Sequence, residues 1–500
     1  MRRKFMKTAA LALAAALMVG ACAKKTEQNT FTGDTSEEPD YQVSLNPIMP
    51  SAYRDVQGLK LEKGTYISII GKSEATAFWK AVRSGVMQAA EDLNRELGYS
   101  GNDKIKVTYN GPAKSEDIDE QVNILDEELS RYPDVIGIAS IDEEACTVQF
   151  DLATENGIPI IALDSGNQYP GIQCTVKTDN QEAARTGAYK LADEIGGKGD
   201  VMVLVHDSKS ETAKERAKSF QDEIAENYPD VRTAEVVYCD QLDDLKKQMA
   251  EEQNEGLEEG GRKAEKESIT DADAVQYLIE QHPGLKGIFG TNDSTTMLGL
   301  EAIRQAEQAW EEGQKEEKDQ GEDTDQKEDG RTQEQTGEDA REPGGETKEA
   351  ARSGDGAGED QEPAQDSQAG GNESGEDGEN EASQEDSENE ASAESESGDK
   401  DGRADGESSV RAEENEEETT DPAEIVLMGF DVSKEQLKAL EEGEISGLVV
   451  QNPFGIGYAS VVAAARTVLL SGNEAQVSTG YLWVTQDNMN DASIQKMLYQ

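Results

Sequence analysis

Histidine is almost absent from this chain: 500 residues hold two, His206 and His282. There is also no Cys/His cluster at metal-ligand spacing, no nucleophile elbow and no Walker loop. Few groups are left that could titrate or attack a substrate, so the expectation is a protein with no catalytic residue, no cofactor and no metal. Cysteine is scarce as well, with four copies. Setting Cys22 aside, Cys146, Cys174 and Cys239 are an odd, widely spaced set that makes no disulfide framework, and they read as buried apolar fillers. Basic residues number 47 against 106 acidic ones, a net charge of -59. Such a charge repels nucleic acid and excludes it as a partner. Gly455-Ile456-Gly457-Tyr458-Ala459-Ser460 falls short of a dinucleotide fingerprint. No strand-linked acidic partner follows it, and helix packing explains its glycines.

The charge is unevenly spread. From 311 to 420 the chain carries 41 Asp and Glu against 10 Lys and Arg, no aromatic residue, and Val410 as its one apolar side chain larger than alanine apart from proline. A segment of this kind buries too little surface to offset an ordering entropy of roughly 1–2 kcal/mol per residue. A disordered acidic insertion is therefore predicted over 309–421, acting as a solvated spacer. A smaller hydrophilic insertion is predicted over 249–268. Loop-closure entropy grows only with the logarithm of length, so a host fold tolerates both.

The start of the chain has its own signature. Arg2, Arg3, Lys4 and Lys7 precede an apolar run over 9–19, which ends in Val19-Gly20-Ala21-Cys22. This resembles a bacterial lipoprotein signal, and the resemblance implies that 1–21 is removed and that Cys22 carries a lipid anchor. The run is too short to span a bilayer. The implied location is the extracytoplasmic face of the bacterial cell membrane. Residues 22–62, rich in polar residues and proline, read as a tether.

Beyond the tether, apolar runs suited to strands (65–71, 104–109, 135–140 and 158–164) alternate with segments of helical period. Phe78-Val82-Val86-Ala89 and Ile118-Val122-Leu125-Leu129 are two examples. The pattern restarts after an extended piece at 175–179, with strands at 201–206, 234–239, 285–290 and 424–430. Strand and helix in alternation give parallel sheets covered by helices, and the restart gives two of them. The fold class is α/β, with two Rossmann-like lobes joined by a three-segment hinge. The amino-terminal lobe takes 63–176 and 452–480. The carboxy-terminal lobe takes 177–308, 422–451 and 481–500.

Ligands of open α/β sheets bind beyond the carboxyl ends of the strands. The loops there contain Gly71-Lys72-Ser73-Glu74-Ala75-Thr76-Ala77-Phe78-Trp79, Leu163-Asp164-Ser165, Thr178-Asp179-Asn180, Lys214-Glu215-Arg216, Thr291-Asn292-Asp293, Gly429-Phe430-Asp431 and Gln451-Asn452-Pro453. In this order the set resembles the ribose and galactose type of periplasmic binding protein (type I). The resemblance covers about 64–308 and 423–500. It implies that Phe78 and Trp79 stack on a sugar ring, that Asp164 accepts sugar hydroxyls and Arg216 donates to sugar oxygens, and that Asn292, Asp431 and Gln451 add polar contacts. Aromatic faces with acid, amide and guanidinium groups suit a polyol, whose hydroxyls both donate and accept. Ala139, Ser165 and Cys239 depart from the ribose-type pattern, which points to a ligand other than ribose. The resemblance further implies a monomer that gives a sugar or polyol to an ABC transporter permease. The alternative is a sensor that signals to a histidine kinase or chemoreceptor.

Overall fold

The computed structural model describes residues 39–255, 264–329 and 420–499. The signal segment, Cys22 and most of the acidic tract lie outside the described residues.

Two six-stranded sheets are built from β1 (Tyr66–Ile70), β2 (Lys106–Asn110), β3 (Val135–Ile138), β4 (Ile160–Leu163), β5 (Ile172–Lys177), β6 (Gly199–Val205), β7 (Val231–Tyr238), β8 (Leu285–Gly290), β9 (Val426–Phe430), β10 (Gly447–Gln451), β11 (Gln476–Ser478) and β12 (Tyr481–Val484). The first sheet runs β11-β5-β4-β3-β1-β2 and the second β12-β10-β9-β8-β6-β7, so the second lobe repeats the strand order of the first. All pairings are parallel except β10 with β12. The inner strands are buried on both faces, which is why they read as unbroken apolar runs rather than as alternation.

The helices are α1 (Ala77–Leu97), α2 (Ile118–Ser130), α3 (Thr147–Glu155), α4 (Asn180–Glu194), α5 (Glu211–Asn227), α6 (Leu242–Glu255), α7 (Asp271–Gln281), α8 (Asp293–Asp329), α9 (Lys434–Glu442) and α10 (Pro453–Val468). Glycines set the contact between α1 and α10. A Cβ on Gly457 would fall 2.0 Å from the Val82 carbonyl oxygen, and one on Gly85 would fall 2.0 Å from that of Phe454. The glycine-rich start of α10 thus serves close helix packing. Three stretches of chain pass between the sheets: β5 to α4, β10 to α10, and β11 to β12.

Several boundaries differ from the sequence reading. The tether expected over 22–62 does not extend over 39–62: Leu45, Ile48, Tyr53, Val56, Leu59 and Leu61 are buried in the core of the first lobe. The Asn452 side chain also donates to the Ser44 carbonyl at 2.6 Å. These anchors are spaced singly among polar residues, and the polar average hid them. Met249 and Ala250, expected in an exposed insertion, are buried on α6, which continues through Glu255. Residues 256–263 lie outside the described residues. α8 runs on to Asp329, past 308, where the second lobe was expected to give way to the acidic insertion. Its Glu-, Gln- and Lys-rich continuation has good intrinsic helix propensity, so composition that forbids a core does not forbid a helix. Cys146 and Cys174 are buried thiols, whereas Cys239 is only half-buried.

Candidate functional site

The Thr76 hydroxyl caps α1 by accepting from the Trp79 amide at 3.3 Å, which puts Phe78 and Trp79 in the first turn at the carboxyl end of β1. Their rings meet edge to face, with centroids 5.1 Å apart. Phe78 packs against the cores of both lobes. Its other neighbour is Tyr499, again edge to face at 5.7 Å.

β4 and β9 occupy corresponding places in the two sheets, and each is followed by an aspartate in the left-handed region: Asp164 at φ 55° and Asp431 at φ 67°. Each backbone amide still bonds to the neighbouring strand, Asp164 to the Val176 carbonyl and Asp431 to that of Val449, both at 2.8 Å. Non-glycine residues held in this conformation mark positions where a side chain is aimed at a cost in strain. Both carboxylates are aimed into the cleft.

Arg216 comes from α5 and is 3% exposed. Its Nε donates to Asn180 at 2.9 Å and its Nη1 to the Thr291 carbonyl at 2.7 Å, while the guanidinium lies 4.2 Å over the Phe430 ring. Nη2 has no partner among the described residues. The Asn292 side-chain oxygen accepts from the Thr295 amide and the Ser294 and Thr295 hydroxyls at the start of α8, and its amide nitrogen has no partner among the described residues. Gln451 is spent within the protein: its Nε2 donates to Asp431 Oδ1 at 2.7 Å and its Oε1 accepts from the Thr178 hydroxyl at 2.9 Å.

All seven residues singled out from the sequence, Phe78, Trp79, Asp164, Arg216, Asn292, Asp431 and Gln451, line one inter-lobe cavity of about 470 Å³, part of it open to solvent. Lys72, Thr76, Ser115, Glu116, His206, Thr212 and Asp293 line it too and were missed. Lys72 and Asp293 stand inside the loop motifs already noted, but a lysine or aspartate in a βα loop is usually solvated and raises no signal alone. Tyr499 was also missed. It is buried, and its hydroxyl donates to Asp431 Oδ1 at 2.9 Å.

Burial raises the carboxyls of Asp164 and Glu116, with Lys72 acting against the shift in both cases. Burial, helped by Asp431, brings Asp293 up to about 6. His206 is pushed down to about 3 by burial, so it is a neutral ring, and its Nδ1 pairs with the Thr291 hydroxyl at 2.8 Å. Among the described residues no group of three or more His, Cys, Asp or Glu could hold a metal ion.

A family profile described as "Periplasmic binding protein domain" matches residues 67–321. The chain is 24% identical over 242 residues to the D-apiose import binding protein of Actinobacillus succinogenes, a match covering 48% of this chain and 65% of that one. The match therefore spans just under two thirds of that relative's length. Two solved structures share the fold. One is a carbohydrate transporter solute binding protein from Agrobacterium radiobacter in complex with D-arabinose: TM-score 0.52, 19% identity, covering 87% of this chain and 98% of that one. The other is an ABC transporter solute binding protein from Agrobacterium vitis bound with α-D-tagatopyranose: TM-score 0.54, 16% identity, covering 87% and 99%. Because the profile spans just over half of the 500 residues, and two parallel-sheet lobes face each other across one cleft, the chain belongs to the periplasmic binding protein domain family, a family of binding proteins and not of enzymes.

Proposed function

We propose that the protein is an extracytoplasmic solute-binding lipoprotein that captures a sugar or sugar-like polyol between its lobes and delivers it to an ABC transporter. The observation that carries this reading is the convergence of Phe78, Trp79 and Asp164 from one lobe with Arg216, Asn292 and Asp431 from the other on a single cavity. Rings suited to C–H faces stand beside groups that accept from and donate to hydroxyls. Each hydrogen bond to a charged member is worth about 1.5–3 kcal/mol. A ligand that bridges the lobes binds the closed form better than the open one and shifts the population toward closure about the three-stranded hinge. Gln451 serves in this scheme by holding Asp431 rather than by touching the ligand with its oxygen. Names of the similar proteins, which speak of D-apiose import, D-arabinose and tagatose, support a small sugar as the ligand class.

The test is a thermal-shift screen of the purified chain against pentoses, hexoses and polyols, followed by calorimetry. A ligand at a hundredfold excess over its Kd adds about 2.7 kcal/mol of stability, which gives a readily measured shift. If no sugar or polyol moves the melting temperature, the reading fails. Membrane attachment through Cys22 is tested separately. Wild type is expected in the detergent phase of a Triton X-114 partition, and Cys22→Ser in the aqueous phase.

A further inference from the structure

Beyond β12 the chain joins the lobes once more, by contact rather than as one of the three covalent crossings. It is rooted in the second lobe, where Gln486 donates to the Glu441 carbonyl of α9 at 2.6 Å and Met489 is buried in the core. A turn of helix at Ala492–Gln495 then carries it to the first lobe, where Lys496 pairs with Asp40 at 3.3 Å. At Tyr499 the two lobes meet. This residue is 8% exposed, and its two ends serve different lobes. The ring stands edge to face with Phe78 of α1, centroids 5.7 Å apart, and the hydroxyl donates to Asp431 Oδ1 beyond β9 at 2.9 Å. Both partners line the ligand cavity. Around this contact the seam is loose: a second cavity of about 930 Å³, part of it open to solvent, separates Tyr41, Ser84 and Phe454 from Lys496 and Leu498. The segment therefore touches the first lobe at a few points and does not merge with its core.

Elsewhere across the cleft the lobes touch through the Ser165 and Thr212 hydroxyls at 3.1 Å and through Lys214 and Glu143 at 2.6 Å, so they stand closed. A rotation that opens the cleft moves Phe78 away from Asp431, because the two belong to different lobes. Tyr499 has both its chain root and its hydroxyl partner on the second lobe, so its ring contact and the Lys496 pair are what part. We propose that residues 485–499 are a clasp between the lobes, latched by Tyr499 on Phe78, which engages in the closed arrangement and raises its population before any ligand arrives. The exposed pair of Lys496 and Asp40 adds little. An aromatic contact, worth about two- to tenfold in an equilibrium, carries the effect. While the closed form is the minor one, affinity rises by the same factor, since the ligand no longer has to supply that part of closure. The clasp needs two lobes and no particular ligand, so it stands apart from the sugar reading.

The experiment measures the separation of the lobes in the purified chain, with no sugar added, by double electron–electron resonance. Spin labels go on Val148→Cys of α3 and Lys218→Cys of α5, both exposed positions, in a Cys22→Ser and Cys239→Ser background. Cys146 and Cys174 are buried and take no label. Tyr499→Leu is expected to lower the ratio of short to long distances by about two- to tenfold. Phe78→Leu, made on the other lobe, is expected to lower it as far. Both remove the same contact, so the double variant is expected to go no further than either single one. Distance distributions that superimpose for wild type and both single variants, each shown folded by its melting curve, would overturn the clasp and leave Tyr499 a filler of the second-lobe core. Effects of the two substitutions that simply add would overturn it as well, and so would a wild type that shows the long distance alone. Since the labels report without any sugar, each of these failures leaves the sugar-binding reading as it was.

Discussion

Asp164 and Asp431 stand at equivalent corners of the two lobes, each after the third strand from the β11 or β12 edge and each in a left-handed conformation, yet the protein treats them in opposite ways. Asp431 is held by two donors from distant parts of the chain, Gln451 at the hinge and Tyr499 near the end of the described chain. Asp164 is as deeply buried, but its carboxylate receives no hydrogen bond among the described residues, and the charges of Lys72, Arg216 and Lys177 oppose the penalty of burial. The duplicated strand order supplies both corners. Gln451 at the end of β10 and Tyr499 beyond the last strand make one corner prebuilt, and the other is left waiting for a ligand. Preorganised groups lose less on binding because their ordering has already happened.

The sharpest way to break this contrast is to replace each aspartate with alanine and measure affinity for whichever sugar the screen identifies. Asp431→Ala is expected to weaken binding by about a hundredfold or more, Asp164→Ala by about tenfold or more, since each lost charged hydrogen bond costs about 1.5–3 kcal/mol and 1.4 kcal/mol is a factor of ten. Equal affinities for wild type and both variants would refute the site. The next largest effect is on the ligand-free fold, followed by urea unfolding. Asp431→Ala leaves the Gln451 amide and the Tyr499 hydroxyl unpaired, at about 1–3 kcal/mol for each buried group. Asp164→Ala removes a desolvated carboxylate that no donor satisfies, so its stability stays level or rises. Both residues sit at positive φ, so the strain added by alanine is common to the two variants and drops out of their difference. A smaller effect follows from Tyr499→Phe, which takes one of the two donors from Asp431 and is expected to cost about 1 kcal/mol. An unchanged urea midpoint would mean that Tyr499 is a passive filler.

Much of this architecture is legible in the order of residues alone. Parallel strands buried on both faces announce themselves as apolar runs, and loops at their carboxyl ends are where ligands bind; the choice of seven candidate residues within those loops rests on their resemblance to the ribose and galactose type of periplasmic binding protein. What the sequence hides depends on tertiary neighbours. Tyr499 lies 68 residues from Asp431 and has no local pattern that ties it to the cleft. β11 and β12 have three and four residues, too few for periodicity to register. Leu45, Ile48 and Tyr53 are recognisable as core only once a lobe exists to receive them. Asp164 itself is recognisable by residue type, but its lack of an internal donor, the feature that separates it from Asp431, is a matter of geometry alone.

The smallest of the expected effects concerns pH, and it sharpens the comparison by asking how far burial beside Asp431 raises Asp293. Asp293 titrates at about 6 in the folded state against 3.8 for the ordinary carboxyl. A folded-state value above the unfolded one means that the native state binds the proton more tightly. Its contribution to stability is therefore complete below about pH 4 and is lost as pH rises through about 6. Glu116 and Asp164, also raised by burial, act in the same sense. His206 acts in the opposite sense. Held neutral by burial, with its value lowered to about 3, it costs stability as pH falls below the 6.5 of an ordinary histidine. The raw profile of the ligand-free protein between pH 5 and 7 therefore mixes two slopes of opposite sign. The difference between wild type and Asp293→Asn removes the histidine, because His206 is common to both. Wild type is expected to lose stability relative to the variant as pH rises through that window. A difference that stays flat would mean that Asp293 is solvated in the free protein.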